Sequence, residues 1–230
     1  MDDFTRALIV TAVCCVAAYF LCGIPFGKIL GKCLGNVDIQ QAGSGNIGTT
    51  NALRVAGPKV AALTLLFDLL KGTVCVVAAR WLIPVLGLGA PAWSLVPGVS
   101  GDWLVVLVAL ASLYGHIFSP YLHFHGGKGI ATGVGILFGY CWPLALVHLG
   151  IFIVLVALTK FVSLGSIVTA GLVPLTMFVT FPSMGPAALA LWAVLGWTVV
   201  WAHRANIARL RAGKESKLSF TKRVTTKDDE

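Results

Sequence analysis

The sequence predicts an all-α integral membrane protein of seven transmembrane helices, with its N-terminus outside and its C-terminus cytoplasmic. Three observations carry that expectation. Of 230 residues, 57% are apolar and only 11% charged, at a mean hydropathy of +0.89, which excludes an ordinary soluble domain. The apolar residues fall in runs close to the length of a membrane-crossing helix, broken by short polar or Gly- and Pro-rich stretches. The basic residues lie mostly between and after those runs. The net charge of +8 therefore reads as membrane orientation and not as a nucleic-acid footprint.

The first span covers roughly 4–24. Its acidic start, Met1-Asp2-Asp3, lacks the basic flank of a signal peptide, so it is expected to stay as a helix. A polar, glycine-rich segment follows from Gly27 to Gly57, and Pro58 is well placed to open the second span, which ends near Ile83. Residues 84–101 are uncharged and rich in Pro and Gly, an outer loop flanked by Trp81, Trp93 and Trp103 in the manner of an interfacial aromatic belt. The third span, about 102–122, leads into a basic glycine turn. From Gly129 to Thr159 the chain is apolar for longer than one span of roughly twenty residues, and Trp142-Pro143 divides it into a fourth and a fifth. The sixth span (about 165–181) and the seventh (about 187–203) are joined through Pro182–Pro186. Residues 1–215 thus form a single membrane domain, and 216–230 a basic tail expected to be disordered.

The positive-inside rule supports this count. With seven spans, Lys28, Lys32, Arg54, Lys59, Lys128, Lys160, Arg204, Arg209, Arg211, Lys214 and Lys217 share one side, and only Arg6 and Arg80 fall on the other. One merged span over 130–159 would put Lys160 and the tail opposite the other basic loops. The six cysteines form no CxxC pair and lie mainly in apolar runs, so they read as packing residues, without disulfides or a zinc site.

Every unusual polar stretch then falls on the cytoplasmic side. Gly126-Gly127-Lys128-Gly129 can bring backbone N–H groups and one cation to an anion, at the start of an apolar helix whose positive end points the same way. Glycine also permits close helix packing, and lysine marks cytoplasmic loops, so this motif alone is not decisive. The run Ser44-Gly45-Asn46-Ile47-Gly48-Thr49-Thr50-Asn51, with Arg54, is dense in donors for phosphate or polyol oxygens; its ordinary reading is a helix cap with turns. Ser163 and Ser166 begin the sixth span, and either hydroxyl can cap the helix or face an anion. His203 and Asn206 share one helical face after the seventh span, followed by Arg209 and Glu215. Asp68 and Lys71 lie inside the second span at i,i+3, a possible intramembrane ion pair whose role is equally structural or catalytic by spacing alone. His116, His123, His125 and His148 show no metal-ligand spacing. No nucleophile elbow, Walker motif or zinc-protease motif occurs, and neither a metal nor a cofactor is expected.

Three separated signatures, SGNIGTTNALR (44–54), GHIFSPYLHFHGGKGIATG (115–133) and HRANIARLRAGKE (203–215), resemble the bacterial acyl-phosphate:glycerol-3-phosphate acyltransferases, the PlsY family. SLGS at 163–166 and Asp68-xx-Lys71-Gly72 fit as well, so the resemblance spans nearly the whole chain. It implies a seven-span protein of the bacterial inner membrane with a cytoplasmic-side active site. The implied reaction moves a fatty acyl group from acyl phosphate to the sn-1 hydroxyl of glycerol 3-phosphate, the first acylation of phospholipid synthesis, giving lysophosphatidic acid and phosphate. Its partners are those two substrates and membrane lipid, with no nucleic acid. The family's functional residues fall on Ser44, Arg54, Lys128, Ser166, His203 and Asn206 as catalytic groups. Asn46, Thr50, Asn51, Gly126, Gly127, Gly129, Ser163 and Glu215 are expected to bind substrate. Thr49, His125 and Ser119-Pro120 depart from the family pattern; His125, where a lysine is common, weakens the phosphate field when neutral.

Acyl phosphate is already activated, so direct attack by the glycerol hydroxyl is expected, with the donor's own phosphate taking the proton. His203 as base and Ser44 or Ser166 as acyl carrier are the alternatives. An organophosphate transporter using the same basic pocket is the rival class, disfavoured by the lack of an internal repeat.

Overall fold

The computed structural model describes residues 1–218, and those residues are helical wherever they are regular. Most of the tail expected at 216–230 lies outside the described residues.

Helix α1 (Asp3–Gly23) is capped by Asp2, whose carboxylate accepts from the Thr5 N–H at 2.7 Å. A short break at Ile24-Pro25 leads into α2 (Phe26–Gly35), and a loop then reaches α3 (Thr49–Ala56). Helix α4 (Pro58–Leu82) has proline at its first turn, as the sequence suggests, and runs on as a π-helical segment over Ile83–Leu88. The outer loop is therefore shorter than the expected 84–101. Helix α5 (Trp103–Ile117) ends before the glycine turn, and α6 (Ile130–Tyr140) follows it. Cys141 alone separates α6 from α7 (Trp142–Thr159), so the tryptophan-proline break falls where the sequence places it. Helix α8 (Val162–Thr180) continues through Pro174, and α9 (Pro186–Ala202) bends by 55° at His203 into α10 (Arg204–Arg211).

Five helical stretches among the described residues are long and apolar enough to cross a membrane, or six if the bent α9–α10 pair is one span. Helix α6 is the exception to the count of seven: its 11 residues extend about 16 Å, half the hydrocarbon thickness. Its direction nonetheless keeps the alternation, leaving the end of the bundle where Lys128 lies and meeting α7 at the other. Lipid-facing side chains such as Leu146, Val154, Leu158 and Phe178 are exposed, as a membrane surface requires.

Packing depends on small residues. A Cβ added at Gly135 would come 2.0 Å from the Leu69 carbonyl oxygen, and one at Gly72 would come 2.5 Å from that of Thr132, so α4 and α6 touch backbone to backbone. Thr73 Oγ1 donates to the Gly135 carbonyl across the same contact at 2.9 Å. This seam holds the short α6, and with it the glycine turn, against Asp68 and Lys71 on α4. At the opposite end Arg80 donates to the Gly139 and Tyr140 carbonyls at 3.2 and 3.1 Å, capping the C-terminus of α6. There Asp102 accepts from Tyr140 Oη at 2.8 Å and from the Gly98 N–H at 2.7 Å, and Tyr140 packs edge-on against buried Trp192.

Candidate active site

A cavity of about 480 Å³ opens where the polar segments meet at one end of the bundle. The loop before α3, and α3 itself, bring Ser44, Asn46, Thr50, Asn51 and Arg54 to its wall. The glycine turn adds Lys128 and Gly129, the start of α8 adds Ser163 and Ser166, and the α9–α10 bend adds His203 and Asn206. Glu215 enters from the segment after α10, while Asp68 and His116 belong to α4 and α5. Leu65, Leu69, Val134, Leu149, Phe152 and Val156 form the apolar remainder of the wall. One space therefore joins a cationic, hydrogen-bonding end to an apolar one.

The first signature is shaped from within. Asn51 accepts from the Ser44 N–H at 2.8 Å and donates to the Ile39 and Ala42 carbonyls at 2.7 and 3.1 Å. Its amide is thus committed to holding the loop that presents Ser44, although it lines the cavity. Gly43 and Gly45 take positive φ of 62° and 69°, the left-handed turn that lets this loop fold back on α3. Asn46 accepts from the Gly48 N–H at 2.8 Å, a local turn contact.

The glycine turn differs from the expected anion cradle. Gly126 and Gly127 do not line the cavity, and their N–H groups are used: Gly126 donates to the Ile117 carbonyl at 2.9 Å and Gly127 to that of His116 at 3.1 Å. A Cβ at Gly126 would lie 2.0 Å from the His116 carbonyl oxygen, and one at Gly127 would lie 2.2 Å from His116 Nε2. These two glycines are required by close packing on α5. The donors open to an anion belong instead to the first turn of α6, whose N–H groups have no carbonyl a turn earlier; Gly129, Ile130 and Ala131 are on the cavity wall.

Lys128 is largely removed from water, and that burial, with Arg209 and Arg54 nearby and Glu215 opposing them, brings its ammonium down to about 8. Burial alone would push the Glu215 carboxyl up, but hydrogen bonds from Asn206 and Arg209 outweigh it and hold the group below its usual range. Asn206 Nδ2 and Arg209 Nε each donate to this carboxylate at 2.7 Å, which leaves Asn206 Oδ1 buried without a partner among the described residues. His203 Nδ1 lies 2.8 Å from the Val199 carbonyl, so the proton belongs on Nδ1 and Nε2 carries the lone pair. Ser166 Oγ donates back to the Val162 carbonyl at 2.9 Å.

Asp68 and Lys71 form the pair their spacing suggests, at 2.7 Å and buried; Lys71 also donates to the Ile24 carbonyl at 3.1 Å and stays behind the cavity wall. Spacing does not single out His116. It lies 3.7 Å from Asp68 because α4 crosses α5, a tertiary fact for which its place in the second signature was the only hint.

A multi-pass membrane protein with a phosphate-ready pocket walled partly by apolar helices is the class these features define. A family model described as glycerol-3-phosphate acyltransferase matches residues 12–213. Glycerol-3-phosphate acyltransferase of Brucella anthropi is 40% identical over 204 residues, covering 88% of this chain and 90% of that protein. The enzyme of the same name from Acaryochloris marina is 40% identical over 225 residues, covering 95% and 97%. The crystal structure of PlsY (YgiH), an integral membrane glycerol 3-phosphate acyltransferase, superposes in its glycerol 3-phosphate form with a TM-score of 0.78 at 30% identity, covering 91% of this chain and 96% of that one. Its lysophosphatidic acid form gives 0.76. The chain belongs to the glycerol-3-phosphate acyltransferase family; it is an integral membrane enzyme, an acyltransferase.

Proposed function

We propose that this enzyme transfers a fatty acyl group from acyl phosphate to the sn-1 hydroxyl of glycerol 3-phosphate, giving lysophosphatidic acid and phosphate. The observation that carries the reading is the two-ended cavity. Its polar end gathers Lys128, Arg54, Arg209 and the start of α6, enough positive potential for two phosphates, while its apolar end suits an acyl chain. The glycerol oxygen bonds to the acyl carbon, the carbon–oxygen bond to phosphate breaks, and the departing phosphate takes the hydroxyl proton. No external base is then needed, and positioning supplies most of the rate. Two local facts support direct attack. Ser166 spends its proton on the helix backbone, and among the described residues no hydrogen bond links Ser44 or Ser166 to a histidine. His203 Nε2 and Asn206 Oδ1 are suited to accept from glycerol hydroxyls.

The proposed orientation is N-terminus outside and active site cytoplasmic, in a bacterial inner membrane, with seven crossings that include the short α6. The reading is supported by the gathering of Lys28, Lys32, Lys59, Lys160 and Arg204 at the site end and of Arg6 and Arg80 at the other. Purified protein in lipid, given radiolabelled glycerol 3-phosphate with palmitoyl phosphate or palmitoyl-CoA separately, tests the donor. Labelled lipid from acyl phosphate alone, lost in Lys128→Ala, is the expected result. Lipid from the thioester would overturn the donor assignment, and label accumulating inside vesicles without conversion would indicate a transporter.

A further inference from the structure

His116 belongs to no role assigned above, yet it is 3% exposed and lies where three structural features meet. Among the described residues its Nδ1 has no hydrogen-bond partner, and it faces Asp68 Oδ1 across 3.7 Å. Asp68 is itself held by Lys71 at 2.7 Å, and Lys71 by the Ile24 carbonyl at the end of α1. On the other side of the ring is the glycine turn. Gly127 donates to the His116 carbonyl, and its α-carbon rests so close to the imidazole that an added methyl would come 2.2, 2.9 and 3.1 Å from Nε2, Cε1 and Cδ2. All three of those nearest atoms belong to this one ring. The next residue in the chain is Lys128.

We propose that His116, oriented by Asp68 and Lys71, is a positioning residue: its ring is the platform that sets the height of Lys128 and of the first N–H groups of α6 over the cavity. The inference rests on the acyltransferase reading of that cavity. It explains why a buried Asp–Lys pair is kept beside the cavity: through His116 it fixes the platform. A small shift of the platform moves both the lysine and the helix end, and displacements of about 1 Å at such sites change rates by up to a hundredfold.

The test compares wild type, Lys128→Ala, His116→Ala, Gly127→Ala and the double variant H116A/G127A, in lipid, with KM measured for each substrate and glycerol 3-phosphate binding measured directly. Lys128→Ala identifies the substrate whose phosphate the lysine holds. His116→Ala is expected to raise the KM of that same substrate on the order of tenfold, leaving the other KM and the melting temperature near wild type. Gly127→Ala should do the same, and the double variant should be no worse than the worse single one, because removing the ring makes room for the methyl. Additive penalties, an unshifted KM, or equal changes in both KM values would overturn the proposal. If His116→Ala is recovered unfolded, His116→Asn, which keeps a polar atom facing Asp68, takes its place under the same criteria. Wild type that makes no lipid product would instead overturn the acyltransferase reading itself.

Discussion

The two ends of α6 are finished in opposite ways. At its C-terminus Arg80 occupies the last carbonyls, and next to it Asp102 Oδ2 accepts from both Tyr140 Oη and the Gly98 N–H. At its N-terminus the first N–H groups open on the cavity, and around them Asn206 Oδ1, His116 Nδ1 and Ser163 Oγ are buried without hydrogen-bond partners among the described residues. A buried polar group left unmatched costs about 1–3 kcal/mol, so protein interiors normally match them. Arg80 Nε and Trp192 Nε1 are also unpartnered at the closed end among the described residues, but only the open end's unpartnered atoms belong to residues lining the cavity. The closed end is therefore built for packing, and the open end for a ligand.

The largest test of this contrast removes the charge at the open end. Lys128→Met should lower kcat/KM by on the order of 10²–10³-fold with little change in melting temperature, since its ammonium makes no hydrogen bond among the described residues. At the closed end Asp102→Ala should behave in reverse. It orphans Tyr140 Oη and the Gly98 N–H, lowering stability by about 2–3 kcal/mol while turnover per folded molecule stays within threefold. Equal damage to both quantities in either variant would erase the distinction.

A smaller effect comes from pH. Lys128 is brought down to about 8 by burial, so it is charged below that pH and neutral above it. The kcat/KM for the substrate it holds should therefore be flat from pH 6 to 7 and fall about tenfold by pH 9. Lys128→Arg, whatever its absolute rate, should remove that limb, and a limb that survives would assign it to another group. The mildest expectation concerns His125, which is exposed and not part of the cavity wall. His125→Lys should raise kcat/KM less than threefold, with the gain disappearing at high salt.

The difference between the two ends also marks what the sequence could disclose. Ser44, Arg54, Lys128, Ser166, His203, Asn206 and Glu215 come from widely separated segments, yet all are on one cavity, because topology alone puts alternate loops on one face. Helix ends were legible to a residue or two where proline or a charge stops an apolar run, as at Pro58 and Trp142-Pro143. The apolar pattern did not reveal that α6 is only a half-span, since its glycines look equally apolar whether they face lipid or another backbone. Nor could spacing show that Gly126 and Gly127 are small for the sake of His116, or that His116 meets Asp68. Both facts depend on how α4, α5 and the turn cross.

For the acyl-phosphate donor proposed above, the brevity of α6 has an energetic meaning. Helices α6 and α7 share one end through Cys141, but their 11 and 18 residues give about 16 and 27 Å, so α6 begins about 10 Å short of where α7 emerges. Lifting a sixteen-carbon chain from hydrocarbon into water would cost roughly 12 kcal/mol, at about 0.8 kcal/mol per methylene. A seat recessed by several methylene lengths lets the headgroup react while its tail stays dissolved. Under the proposed reaction, this recess serves the donor as a carrier protein would at a water-level active site.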